Sequence, residues 1–293
     1  MKSGFITIIG RPNVGKSTLL NKLLGQKIVI ATDKPQTTRR RIKGILTNDM
    51  GQAVFIDTPG IHRPLDKLGE FLMEESKLAI PDADLILFLV DGSEEAGLGD
   101  KWIVENLLET KTPIIIVLNK VDKVKDLQKR EEILFSYKTL FKENYPTVKI
   151  SALTGRNIDT LTKTIFKKLP EGDLIYDEDE VTDESVRSIA QGIIREKILI
   201  NTKDEVPHSV AVQIDKYEEK SEIDRIYVNI YVEHDSQKGI LIGKKGAMLK
   251  QIGMQARMEL EELVQKKVFL SLQVKVEKDW RKKQKNIENW INS

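Results

Sequence analysis

The sequence contains no cysteine, which excludes disulfides and thiolate zinc sites and suits a reducing compartment. Histidine is scarce, and His208 and His234 lack the spacing of a metal-binding pair, so both read as structural or exposed. No apolar run approaches the ~20 residues of a membrane span. The longest, LILFLV at 85–90 and IIIVL at 114–118, have the length of strands. No secretory signal pattern opens the chain. A cytoplasmic, monomeric, soluble protein is the expectation. Nor does one sign of charge dominate: 31% of the 293 residues are charged, yet the net charge is +2, so the distribution of charge carries the information.

Up to about residue 170, Val/Ile/Leu-rich runs (FITIIG, QAVFIDT, LILFLVD, PIIIVLNK, VKIS) alternate with segments of helical period. This predicts an α/β domain over 1–170, a mostly parallel sheet with helices on both faces. Ligand sites in such folds lie at the carboxyl ends of the strands. Residues 171–184 (EGDLIYDEDEVTDE) hold eight acidic residues and no basic one, and read as an acidic linker. Residues 185–293 change rhythm. They predict a smaller α+β domain: a helix, two alternating strands SVAVQIDKY and IYVNIYVE, a short helix, the turn GKKG, a long helix, strand VFLSLQVKV and a last helix.

GRPNVGKST (10–18) follows the first strand and opens a helix. Its two glycines allow backbone N–H groups to turn inward around phosphate, so Gly10, Asn13, Val14, Gly15 and Thr18 are candidate nucleotide contacts. Lys16 would reach the β and γ phosphates and Ser17 would bind Mg²⁺. In DTPG (57–60), Asp57 would hold Mg²⁺ through water and the Gly60 N–H would meet the γ phosphate. In ATDKPQTTRRRIKG a threonine, Thr38 in preference to Thr37, would complete the Mg²⁺ coordination and release after hydrolysis. Lys16, Thr38 and Gly60 are the catalytic candidates. NKVD (119–122) and SAL (151–153) follow two further strands. The Asp122 carboxylate suits guanine, which presents two donors where adenine presents an acceptor; facing adenine it would stay unpaired. Asn119 and Lys120 would orient the loop and cover the base. Ser151, Ala152 and Leu153 would close around it, the Ala152 N–H reaching the guanine oxygen. Ile61 stands where Ras-like proteins place a water-orienting glutamine, so slow intrinsic hydrolysis is expected. His62 is discounted as a substitute base. The cluster Arg39, Arg40, Arg41 and Lys43 reads either as a solvated strand edge or as a contact for RNA or a charged partner.

In GILIGKKGAMLKQIG (239–253), Gly243 and Gly246 bracket Lys244 and Lys245, so a bare backbone and two cations project from one turn. Ile240, Leu241, Ile242, Leu249 and Ile252 would form an apolar floor for unpaired bases. From Lys238 to Lys285 there are 13 Lys or Arg against five Asp or Glu, a net of +8, which supplies salt-dependent affinity for phosphate. Ile242, Gly243, Lys244, Lys245, Gly246, Lys250, Arg257 and Arg281 are the candidate RNA contacts. The basic tail WRKKQK also suits an anionic membrane surface.

With GRPNVGKS, QTTRR, DTPG, NKVD and SAL in one half and IGKKG in the other, the chain resembles the Era family, bacterial GTPases with a C-terminal KH domain. The resemblance spans essentially the whole sequence. It implies a type II KH fold, GTP/GDP and Mg²⁺ as ligands, and slow GTP hydrolysis. It also implies binding to the 3′ end of small-subunit ribosomal RNA, assistance to small-subunit assembly, and peripheral association with the inner membrane. That family also lacks the catalytic glutamine. Two other readings stand beside it: a GTPase of tRNA modification or large-subunit assembly, and an RNA-binding scaffold whose nucleotide site does not turn over.

Overall fold

The computed structural model describes residues 1–291 except Pro35, His62, Arg63, Leu65, Leu108, Glu109, Lys142, Glu143, Asp204 and Glu205, with only the backbone of Asn106 and His208. The described chain forms two compact units: Met1–Ala31, Thr38–Pro64 and Gly69–Asp183 in the first, and Thr32–Thr37, Leu65–Leu68 and Glu184–Ser293 in the second.

The first unit runs β1 (Lys2–Ile9), α1 (Lys16–Leu24), β2 (Ile42–Asn48), β3 (Gly51–Asp57), α2 (Lys67–Leu78), β4 (Leu85–Asp91), α3 (Leu98–Leu107), β5 (Ile114–Asn119), α4 (Leu127–Lys138), β6 (Thr147–Lys149) and α5 (Ile158–Lys168). Six strands pair in the order β2-β3-β1-β4-β5-β6. All pairings are parallel except that of β2 with β3. Both faces are covered, and the strand period divides the core accordingly. Leu85, Leu87 and Leu89 join one apolar cluster, while Ile86, Phe88 and Val90 join the other. Such strands show continuous apolar runs, which made them legible.

The acidic stretch expected as a linker lies instead along β2 and β3. Its backbone is satisfied there: Val181 O accepts from Ile45 N at 2.9 Å, and buried Gln52 Oε1 accepts from Ile175 N and Tyr176 N at 2.7 and 2.9 Å. Lys43 Nζ donates to Asp183 Oδ2 at 2.8 Å and to Tyr176 Oη at 3.0 Å. Arg41 Nε pairs with Glu75 at 3.1 Å. Two members of the RRRIK cluster are thus committed to carboxylates of their own unit. By its contacts the acidic stretch belongs to the first unit as far as Asp183.

The second unit contains α6 (Val186–Asn201), α7 (Val206–Ser209), β7 (Ala211–Glu218), β8 (Ile223–Val232), α8 (Asp235–Ile242), α9 (Ala247–Val264), β9 (Lys267–Val276) and α10 (Gln284–Ile291). β8 lies between β7, antiparallel to it, and β9, parallel to it. Ile226, Val228, Ile230 and Val232 are buried at alternate positions of β8, as are Ile194, Ile198, Ile252 and Leu260 of α6 and α9. Trp280 is fully buried and donates its Nε1–H to Ser209 O at 2.7 Å. α10 turns Ile287 and Ile291 inward and stacks Trp290 on Tyr231 at 3.8 Å. Its apolar face is therefore spent within the fold. Among the described residues no helix is long and apolar enough to cross a membrane.

Candidate functional site

The loop between β1 and α1 is shaped by Gly15, whose φ of 101° lies in the left-handed region. A Cβ there would also sit 2.5 Å from Asn119 Nδ2. No other residue type fits without strain. The loop delivers Lys16 to the first turn of α1, where its Nζ donates to Gly10 O at 3.2 Å and Arg11 O at 3.1 Å. Lys16 is buried, and desolvation lowers its pKa to about 8, against the pull of Asp57. Bound phosphates would restore the charge. Below pH 8 the ammonium is protonated with or without nucleotide; above it the free protein has lost the proton that the bound form regains. GTP binding at pH 8.5–9 is therefore expected to take up a proton, visible as a dependence of the calorimetric binding enthalpy on buffer ionisation, and to show no such uptake by Lys16 at pH 7.

Arg11 is turned aside, its Nε donating to buried Asp100 Oδ1 at 2.9 Å and its Nη2 donating to Glu94 Oε1. Asp100 Oδ2 in turn accepts from Gly97 N at 2.9 Å. This pair fixes the residue whose carbonyl holds Lys16. Sequence spacing carried no signal for it, because Arg11 and Asp100 lie 89 residues apart.

Three oxygens converge beside Lys16. Ser17 Oγ lies 2.8 Å from Thr38 Oγ1 and 2.9 Å from Asp57 Oδ2, and Thr38 Oγ1 lies 3.0 Å from that same carboxylate oxygen. Thr37 Oγ1 is elsewhere, bonded to Lys34 O at 2.6 Å, so Thr38 alone of the two threonines reaches Ser17 and Asp57. Burial pushes the Asp57 carboxyl up, opposed by Lys16 and the two hydroxyls, and its Oδ1 is buried without a hydrogen-bond partner. A hard divalent cation answers this arrangement: an oxygen-only donor set with a buried carboxylate oxygen that has no hydrogen-bond partner. Mg²⁺ held there would neutralise charge on the β and γ phosphates. Gly60 follows on the carboxyl side of β3. The adjacent Ile61 is buried and gives its N–H to Gly10 O at 3.2 Å, so it offers nothing to a water molecule. His62 lies outside the described residues.

The base-recognition segments meet at Asn119. Its Nδ2 donates to Val14 O at 2.9 Å and its Oδ1 accepts from Ala152 N at 2.9 Å, tying the phosphate loop to the SAL segment. The Ala152 N–H, expected to serve the guanine oxygen, is thus already engaged; Asn119 outcompetes a solvent-facing role because all three groups are buried. Ser151 Oγ accepts from Thr154 N at 3.2 Å, and Leu153 is exposed. Lys120 bridges Asn13 O and Asp91 Oδ2, each at 2.6 Å. Burial would raise the Asp91 carboxyl, but Lys120 and two hydrogen bonds from Ser93 hold it below the usual carboxylate range. Asp91 ends β4 and was not among the sequence candidates. Asp122 is exposed on the short 3₁₀ turn after β5, where a bound base would bury it.

In the second unit, Gly243 has φ 70° and a Cβ there would meet Met248 Cβ at 2.7 Å; Lys245 and Gly246 also have positive φ. Exposed Lys244 and Lys245 project from this turn. Beyond it, α9 and β9 enclose a groove of ≈ 780 Å³. Gly246, Lys250 and Arg257 line one wall with Leu249 and Met254; Leu270 and Leu272 line the other. Leu241 and Ile252, expected in the floor, are fully buried core residues. Ile242 and Arg281 are not groove residues. Arg281 is drawn away by Glu233, which accepts from its Nε and Nη2 at 3.0 and 2.7 Å, and by Asp66 at 3.5 Å. In the same unit, buried Arg195 of α6 donates to the carbonyls of Gln36, at 2.6 Å, and Thr37.

A phosphate loop, a hard-cation oxygen set and a guanine-type recognition segment on a mostly parallel sheet define a GTPase, here joined to a KH-type unit. Family models agree: residues 5–120 match that of the 50S ribosome-binding GTPase and residues 205–281 that of the KH domain. The chain is 51% identical over 281 residues to the GTPase Era of Rippkaea orientalis, covering 96% of this chain and 89% of that one. It is 46% identical to that of Halothermothrix orenii, covering 97% and 96%. Among solved structures, an Era variant of Aquifex aeolicus bound to GDP·AlF₄⁻ superposes with a TM-score of 0.95 at 40% identity, covering 99% of both chains. Era in complex with MgGDPNP and nucleotides 1506–1542 of 16S ribosomal RNA gives 0.96 at 40% identity, covering 99% of this chain and 98% of that one. The chain belongs to the Era family of GTPases, and as such is a GTP hydrolase.

Proposed function

We propose that this chain, a cytoplasmic monomer, binds the 3′ end of small-subunit ribosomal RNA through its KH unit and assists small-subunit assembly, with Mg²⁺·GTP setting its state. The observation that carries this is the joining in one chain of a converged Ser17/Thr38/Asp57 set beside Lys16 with a GKKG turn opening on an apolar groove edged by Lys250 and Arg257. The solved Era bound to MgGDPNP and 16S nucleotides supports the ligand pair. Roles follow from position. Lys16 and the Gly60 N–H stabilise the γ phosphate, Thr38 reports its presence, Asp122 selects guanine, and Asn119 and Lys120 orient the loop and cover the base. The GKKG backbone clamps the RNA chain while bases rest on Leu249, Met254, Leu270 and Leu272. Arg195 gives this switch a physical link, because it grips Thr37, the peptide neighbour of Thr38. Any membrane contact would rest on basic charge, because Ile287 and Ile291 of α10 are buried.

Five cations at the turn and groove, Lys244, Lys245, Lys250, Arg257 and Lys267, predict that log K for a single-stranded rRNA fragment falls with log salt at a slope of about −3.5. Lys244→Ala/Lys245→Ala should reduce that slope by about 1.4 and weaken all sequences alike. An unchanged slope, measured by fluorescence anisotropy between 50 and 300 mM KCl, would remove the turn from the RNA site. Multiple-turnover phosphate release separates this switch from a non-hydrolysing scaffold.

A further inference from the structure

The sheet of the second unit has an outer face, opposite α6 and α9, that meets the groove along the edge of β9. Along β8 the residues buried beneath the helices alternate with Arg225, Tyr227, Asn229 and Tyr231, which belong to the opposite face. One end of that face is covered, with Trp290 of α10 stacked on Tyr231. The other end is open. There Phe269 of β9 is 46% exposed and its ring lies 5.9 Å from that of Tyr227, tilted by 58°. A ring pair with one exposed and one half-buried member on a sheet is the form of surface on which unstacked bases rest.

The charge around this pair is complementary to a phosphate backbone. Arg225 is the register partner of Phe269, and Lys216 that of Tyr227; both are exposed. Lys267, two residues before Phe269, has a side chain 79% exposed and lies 4.0 Å from Glu261. Glu218 is the carboxylate at a register position here, and Lys216 pairs with it. The patch is also continuous with the groove, since Lys267 and Phe269 line the groove's edge as well. A strand leaving the groove across β9 meets Phe269 next.

We infer that Phe269 and Tyr227 form a second base-stacking site on the outer sheet face, holding unpaired bases of an RNA strand that continues out of the groove, with Arg225, Lys216 and Lys267 along its phosphates. The inference rests on the groove being the RNA site. It assigns this face to single-stranded RNA and not to a protein partner.

The test uses the full chain and two labelled single strands cut from the 3′ end of small-subunit rRNA, one of about five nucleotides, enough for a KH clamp, and one about twice as long. Tyr227→Ala/Arg225→Ala, at two residues outside the groove lining, should bind the short strand as the unaltered protein does and the long strand about tenfold more weakly. Phe269→Trp should keep the long-strand affinity, and its added fluorescence should be quenched more strongly by the long strand than by the short one. Equal binding of both strands by the double variant and the unaltered protein would overturn the inference, as would an equal loss for both strands. Loss of a co-purifying protein with RNA binding intact would give the face to that protein and overturn it too. Lys244→Ala/Lys245→Ala keeps the two readings apart: weakening of both strands by that variant upholds the groove whatever Phe269 does, and failure of the unaltered protein to bind either strand removes groove and outer face together.

Discussion

Lys16→Ala is expected to lower GTP affinity by about 10²–10³-fold, roughly 3–4 kcal/mol, and to abolish detectable turnover at ordinary substrate concentrations. The magnitude follows from burial. Lys16 is 6% exposed and its Nζ is already held by the carbonyls of Gly10 and Arg11, so its charge meets the phosphates in a site of low dielectric with little reorganisation. Its loss leaves two inward carbonyls without their donor and the buried Asp57 without a neighbouring cation that now lowers its pKa. Lys16→Arg should not restore binding, because the planar guanidinium cannot occupy the space of a buried ammonium point charge. Stopped-flow binding of a fluorescent GTP analogue checks both variants; affinity within threefold of the unaltered protein would remove Lys16 from the phosphate site.

Asp122→Asn is expected to exchange the base preference. In the proposed site the carboxylate would accept from both guanine donors, N1–H and the exocyclic amine; an amide oxygen would accept from one and leave the amide N–H₂ facing the other. GTP affinity should fall by at least about 10²-fold, in the range seen when a site built around a hydrogen bond loses it. Xanthosine triphosphate carries an oxygen in place of that amine and should gain affinity in the same variant. Competition binding with the two nucleotides decides it. An unchanged preference would mean that the exposed carboxylate after β5 does not face the base, and would move specificity to Asn119 and the 151–153 segment.

Much of this site could be read from sequence because its parts are local. Each loop follows a strand buried on both faces, and such strands announce themselves as unbroken apolar runs: Leu85–Asp91 and Ile114–Asn119 are buried at every position. The antiparallel edge strand β2 was less visible, since RRRIKGILTN mixes charge with apolar residues and only one of its neighbours is a strand. What sequence could not supply were the partners brought together by folding. Arg11 with Asp100 and Lys120 with Asp91 join residues far apart in the chain, and neither pair has a spacing rule. The same reason explains the misassigned Arg281: a basic run says nothing of the buried carboxylate of Glu233 waiting 48 residues upstream. The acidic stretch looked like a linker because composition cannot show that Lys43 and Gln52 would hold it down. In the groove, one wall was legible from the GKKG turn and the other, Leu270 and Leu272, was not, since alternation within β9 leaves open which element covers it.

In the proposed switch, the nucleotide bound at Lys16 and Asp57 governs how the KH unit holds RNA, through Thr38 and the Arg195 grip on its neighbour Thr37. Linkage makes the effect reciprocal: a factor by which GTP tightens RNA is the factor by which RNA tightens GTP. The direct measurement is the calorimetric affinity for a non-hydrolysable GTP analogue with Mg²⁺, taken with and without a saturating rRNA 3′-end fragment. The account predicts at least fivefold tighter binding with RNA present, and a loss of that difference in Arg195→Ala with the RNA-free affinity preserved. Equal affinities in the unaltered protein, with and without RNA, would contradict it.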